Sequence, residues 1–245
     1  GKRESDSPRS EWPIEAIIPS FREDDEDTAY SADAAIQQHL EQLPDEPYIL
    51  FVGALRRVKG VQQLLDAYEQ LTDAPPLVLI GTWESDSPDR LPPGVQVLPN
   101  LPHNAVMAAW EGALFGVIPS LWPEPLGSVV YEGMSRGRAM IGTTPGGHTD
   151  MIVDGGTGLL VPPGDVDALR AAMQTLLDDP DLCMRFGYAG RARARLFTAE
   201  VNVPRFEQLY RQLIDAKRTR QNPNDADAKH RVEPSVETVK WQSGA

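Results

Sequence analysis

The 245-residue chain can hold one large domain with flanking segments, and its net charge of −13 argues against nucleic acid or an anionic bilayer as a partner, since both need a basic face. A lone cysteine, Cys183, rules out an internal disulfide framework and fits a reducing cytoplasm. No apolar run approaches the ~20 residues of a membrane span, and neither a signal peptide nor any membrane-contacting segment is evident.

Residues 1–13 are polar and proline-punctuated, and read as a disordered lead. Residues 14–47 carry a short apolar stretch ending at Pro19, a solvated acidic run at 23–27, and a helix predicted over 32–43. Alternation begins at residue 48. Strands are expected at 48–52, 77–80, 95–98, 115–118, 139–141 and 159–161. Helices are expected at 61–71, 104–111, from near Gly127, 148–152, 165–177, 180–194 and 199–214. Strands alternating with helices predict an α/β fold, a Rossmann-like parallel sheet with helices on both faces, over residues 48–197. Ligands of such sheets bind at the carboxyl ends of the strands, where Gly53, Gly81, Pro119 and Gly142 fall. The terminal helix, residues 198–216, carries an apolar stripe of Phe206, Leu209, Tyr210, Leu213 and Ile214, and residues 217–245 read as a disordered tail.

The stretch Glu124-Pro-Leu-Gly127-Ser128-Val-Val-Tyr-Glu132 sets two carboxylates eight residues apart around the start of a helix. A helix start offers unpaired N–H groups and partial positive charge, which suits a phosphate. Pro123 and Pro125 hold the Glu124 loop extended, and Gly127 permits close approach. The two acids would then flank an anion, with a sugar at one end and a ribose at the other. Two alternatives stay open on spacing alone. One is a pair of solvated surface acids; the other is a glycosidase acid pair, which needs carboxyls roughly 5–9 Å apart. Gly155-Gly-Thr-Gly158 precedes a strand, so it reads as a turn and not as a phosphate loop. His103, His148 and Cys183 lack metal-ligand spacing, and no protein-held metal is expected. No G-x-G-x-x-G or Walker loop is present, which argues against a dehydrogenase or an ATPase.

The Glu124…Glu132 pair resembles the E-x7-E motif of the retaining GT-B glycosyltransferases of family 4. Further segments resemble that family in the same order: Phe51-Val-Gly53-Ala-Leu-Arg-Arg-Val-Lys59-Gly60, Val117-Ile-Pro-Ser120, Gly146-Gly147-His-Thr-Asp150 and Gly158-Leu-Leu-Val-Pro-Pro-Gly164-Asp165. The likeness runs from about Ile17 to Ile214 and covers only the second of the family's two Rossmann-like domains. It implies the carboxy-terminal part of a longer enzyme, with the interdomain hinge near Ile14–Ser20. The missing amino-terminal domain would hold the acceptor, and the terminal helix would pack on it.

The resemblance also assigns roles. Gly53 and Lys59, with the backbone of Leu126, Gly127 and Ser128, would bind the donor diphosphate. Glu124 would be the catalytic carboxylate, facing the donor sugar to hydrogen-bond its hydroxyls and shield positive charge at the anomeric carbon. Glu132 would take the ribose hydroxyls, and Asn100 and Leu101 would lie by the base, with Trp83 nearby. Where the family has arginine after the glycine this chain has Ala54, leaving Arg56 and Arg57 as candidate cations. The expected activity is retaining transfer from a UDP-, GDP- or ADP-sugar with no cofactor, the fragment alone being inactive. The alternative is a non-catalytic nucleotide-sugar-binding or scaffold module.

Overall fold

The computed structural model describes residues 18–19, 21–22, 36–99, 101–125 and 127–221. The chain divides into two units, residues 19–203 and a second made of residues 1–18 with 204–245. The first is the α/β body. It begins with the short helix α1 (Gln37–Leu40) and continues β1 (Tyr48–Val52), α2 (Val61–Tyr68), β2 (Leu77–Ile80), β3 (Val95–Leu98), α3 (His103–Gly112) and β4 (Ala113–Ile118). Then come α4 (Ser128–Ser135), β5 (Ala139–Thr143), α5 (His148–Met151), β6 (Gly158–Val161), α6 (Val166–Asp178) and α7 (Pro180–Ala194). Helix α8 (Ala199–Gln221) starts in the first unit and continues in the second.

Each expected strand and helix of the body is present, with ends shifted by a few residues. The expected helix over 32–43 is seen as α1 alone, residues 23–35 lying outside the described residues. The expected hinge lies largely outside them too. Helix α8 runs past the expected end at 216 to Gln221, a correction to the start of the tail; the rest of the tail, from 222, is not described. Within α8, Tyr210 and Ile214 of the apolar stripe are exposed.

The sheet is six-stranded and parallel throughout, in the order β3-β2-β1-β4-β5-β6. The inner strand β1 and its neighbour β2 are continuous apolar runs because both faces are covered, whereas the edge strand β3 carries Gln96 and is only partly buried. Alternation divides them between two cores. Ile49, Phe51, Phe115, Val117, Ala139 and Ile141 point to one, shared with α2, α6 and α7. Tyr48, Leu50, Ile118 and Met140 point to the other, shared with α3 and α4.

Trp110 fixes how α4 lies on the sheet. Its ring is fully buried, and a Cβ added at Gly116 of β4 would lie 2.7 Å from it, one at Gly133 of α4 3.2 Å. The indole and the Met140 side chain, which would lie 2.6 Å and 2.4 Å from the same two Cβ positions, together fill the space that two missing side chains leave between strand and helix. The strand order reverses between β1 and β4, so the connections leaving these neighbours run to opposite sides and open a crevice at their carboxyl ends. That crevice is where α4 begins.

Removing this wedge has a measurable cost. Trp110→Ala is expected to destabilise the chain by about 3–5 kcal/mol, read as a lower urea midpoint. An unchanged midpoint would mean that the indole does not carry the packing of α4 on β4.

Candidate functional site

Two loops border the crevice, one from β1 and one from β4. The β1 loop runs from Gly53 through a 3₁₀ turn at Arg57–Lys59 to Gly60, where α2 begins. Gly60 has φ of 72°, and a Cβ there would sit 1.9 Å from the Pro119 carbonyl oxygen. Only glycine allows both the left-handed backbone and this approach. The approach presses the β1 loop against the β4 loop, and Leu121 N–H donates to the Val58 carbonyl at 2.9 Å across the seam.

The seam brings Lys59 to Glu124. Lys59 Nζ lies 2.5 Å from Glu124 Oε1, and Ser120 Oγ donates to the same oxygen at 2.7 Å. Ser120 is itself buried, its carbonyl accepting from Thr143 Oγ1 at 2.9 Å, so β5 braces the arrangement. The Glu124 side chain is only 11% exposed. Burial pushes its carboxyl up, but the hydrogen bonds from Lys59 and Ser120, with the positive charge of Lys59, outweigh that and hold it below the usual carboxylate range. Both donors use Oε1; Oε2 has no hydrogen bond to a described residue and is free to accept from a ligand.

Helix α4 opens beside this pair at Gly127, with no side-chain cap and no acid in its first turn. Helices α6 and α7 are capped by Asp165 and Asp179. The first N–H groups of α4 therefore lack a cap, and its positive end is unanswered by any first-turn acid, which favours an anion. Together the crevice offers a cation, an uncapped helix start and a carboxylate with one oxygen free.

Glu132 follows one α4 turn and a half later. It is buried, and Arg22 Nη2 reaches its Oε1 at 3.5 Å. This corrects the alternative in which Glu132 is a solvated surface acid. Arg22 is held by the chain on either side of α8's start: its N–H donates to Phe197 O at 3.0 Å, and its carbonyl accepts from Ala199 N–H at 2.7 Å. Among the candidate cations, Arg56 pairs with Asp86 at 3.2 Å, and Arg57 is exposed on the turn. Trp83 stands 46% exposed on the loop after β2, which Ser87 ties to the Leu55 carbonyl. Leu101 follows β3, the edge strand two places from β1, and packs into apolar clusters. Asn100 and Leu126 lie outside the described residues.

Sequence reasoning assigned Lys59 to the diphosphate alone and did not anticipate that it grips Glu124. Ser120 stands there only within the Val117–Ser120 segment that resembles the family, although a hydroxyl four residues before an acid in a proline-bracketed loop is a signal for this bond. Arg22 had no signal at all, since its partner is 110 residues away. His148 is drawn close as well, on α5 under the Glu124 loop. The sequence's Gly155–Gly158 turn is a turn leading into β6. Among the described residues no three His, Cys, Asp or Glu side chains form a metal-binding group, and no helix is long and apolar enough to cross a membrane.

The family model described as "Glycosyl transferases group 1" matches residues 33–193, well over half of the chain. This chain belongs to that glycosyltransferase family. Among curated relatives, an alpha-maltose-1-phosphate synthase of Mycolicibacterium smegmatis is 32% identical over 169 residues, covering 61% of this chain and 43% of that protein. The O-antigen chain mannosyltransferase C of Escherichia coli is 29% identical over 188 residues, covering 73% and 50%. Among solved structures, the sucrose-phosphate synthase of Thermosynechococcus elongatus matches with a TM-score of 0.66 at 31% identity, covering 82% of this chain and 53% of that one. Anabaena HepE in complex with UDP matches with a TM-score of 0.61 at 21% identity, covering 72% and 52%, a likeness of fold. The chain thus spans about half the length, or less, of the relatives it matches.

The ion pair makes a pH prediction. A carboxyl held low in the folded state contributes stability above its unfolded pKa of about 4.3, and loses it as pH falls through the folded value. Glu124→Gln should therefore cost roughly 1–3 kcal/mol at pH 7. The gap between variant and unaltered chain should narrow below pH 4, measured as urea midpoints across pH 3–7. A gap that stays constant with pH would show that the carboxylate charge does not stabilise the fold.

Proposed function

We propose that this chain is the donor-binding half of a retaining glycosyltransferase, taking a sugar from a UDP-, GDP- or ADP-sugar. The observation that carries the reading is the Lys59–Glu124 pair beside the uncapped start of α4. The diphosphate lies against the N–H groups of Leu126, Gly127 and Ser128, and Lys59 neutralises it together with the turn at Gly53. Negative charge grows on the diphosphate as the glycosidic bond breaks, and a preset cation with aligned N–H groups stabilises it then more than in the ground state.

Glu124 faces the sugar. Its free oxygen accepts from a sugar hydroxyl, and its charge offsets the positive charge growing at the anomeric carbon. Glu132 accepts from the ribose hydroxyls, with Arg22 orienting it. The base lies towards Asn100 and Leu101. No cofactor takes part, and the setting is cytoplasmic. An amino-terminal domain of the same enzyme holds the acceptor, so this chain alone binds donor without turnover. The name of the Escherichia coli mannosyltransferase and the UDP and UDP-glucose carried by HepE support a nucleotide-sugar donor. Ala54, standing where the family has arginine, favours a second reading as a non-catalytic module that keeps the fold and the nucleotide site.

Calorimetry with UDP, GDP, ADP and their sugars at millimolar concentration should detect binding of one base. Glu132→Gln should weaken that binding by roughly 1–3 kcal/mol, the value of a hydrogen bond to a charged group. In the longer enzyme Glu124→Gln should lower kcat more than it raises KM. Absence of heat with every nucleotide would overturn the reading. Binding without turnover in the longer enzyme would favour the module.

A further inference from the structure

His148 opens α5 on the loop after β5 and is 1% exposed. Its Nδ1 accepts from the Thr143 backbone N–H at 3.3 Å. A backbone amide only donates, so the neutral ring carries its proton on Nε2. That Nε2 is buried with no hydrogen-bond partner. Leaving a buried donor unpaired is unfavourable, and such orphans call for an explanation.

An acceptor lies on the adjoining loop. The segment under His148 is clamped to the Glu124 loop: Gly147 N–H donates to the Glu124 carbonyl at 2.6 Å, and a Cβ at Gly147 would meet the Pro125 oxygen at 2.4 Å. The ring edge faces Gly127, where a Cβ would lie 2.9 Å from Cδ2 and 3.3 Å from Nε2. The charged groups acting on the ring are Glu124 and Lys59. Burial lowers its pKa most, Glu124 raises it, and Lys59 lowers it. An unpartnered donor and a carboxylate with one unpartnered oxygen thus share a single seam, while Lys59 holds the carboxylate's other oxygen.

Lys59 has two claims on it, Glu124 in the free chain and, on the proposed function, the diphosphate. When it turns to the phosphates, a carboxylate that is only 11% exposed is left with Ser120 alone. We propose that His148 is a positioning residue for Glu124, its Nε2–H taking the carboxylate when Lys59 engages the donor diphosphate. The acid then stays charged and oriented towards the sugar instead of swinging free. The inference rests on the donor-site reading for its trigger, but the His148–Glu124 pairing itself does not.

The test therefore has two arms, both read from the His148 ring proton and nitrogens by ¹H–¹⁵N NMR on the 245-residue chain. In the first, Lys59→Met removes the competing cation without ligand. The Nε2 proton should move downfield, and adding Glu124→Ala should abolish the shift. An unmoved proton, or a shift that survives Glu124→Ala, overturns the inference. In the second, UDP, GDP or ADP is added to the unaltered chain, and the one that binds should produce the same downfield shift. Binding without the shift overturns the inference and leaves the donor site standing. If no nucleotide binds, the donor-site reading and this trigger fall together, while the first arm still decides whether His148 partners Glu124. A neutral ring with its proton on Nδ1 also overturns the inference.

Discussion

Lys59 and Glu124 stand 65 residues apart in sequence, on loops from two neighbouring parallel strands, and share a short ion pair in a mostly buried crevice. Two charges so placed can be tolerated only because each has the other. Much of the local structure serves that proximity. Gly60 lets the β1 loop touch the Pro119 carbonyl, Ser120 adds a hydroxyl to the shared oxygen, and Thr143 braces Ser120 from β5. The same contact that holds two loops together also stores a cation and an anion where a charged ligand would bind.

The sheet explains why this happens at one place. In the order β3-β2-β1-β4-β5-β6, only between β1 and β4 do the connections depart to opposite sides. The helix after β4 starts there without a side-chain cap, and Trp110 with Met140 sets its height on the sheet by filling the gaps at Gly116 and Gly133. Packing thus aims the α4 N-terminus, and the crevice inherits its field. Membership of the glycosyltransferase family fits this division, in which the fold supplies the crevice and a few loop side chains supply its chemistry.

Much of this was legible beforehand. The apolar runs at 48–52 and 77–80 had the strand boundaries that the structure has, because a strand buried on both faces leaves an uninterrupted mark. The acid pair and the glycine-led helix start were readable because local spacing carries them. Contacts that depend on chain folding were not. Nothing near Lys59 indicates that its partner is Glu124, nothing near Glu132 points to Arg22, and the burial of His148 depends on three loops meeting. The tail boundary was misplaced for a different reason. Residues 217–221, Lys-Arg-Thr-Arg-Gln, are all polar and so carry no apolar period to read.

The central claim is that the Lys59–Glu124 pair is a loaded site in which the carboxylate competes with a diphosphate for the lysine. Its most direct test is the affinity of Glu124→Ala for the nucleoside diphosphate without its sugar, measured by calorimetry beside Lys59→Met. Removing the competing acid should tighten the nucleoside diphosphate severalfold, while removing the lysine should weaken it by tenfold or more, as loss of a charge-assisted contact does. If Glu124→Ala weakened the nucleoside diphosphate as much as Lys59→Met, the acid would be holding the phosphate site together instead of competing for its cation, and the account would be wrong.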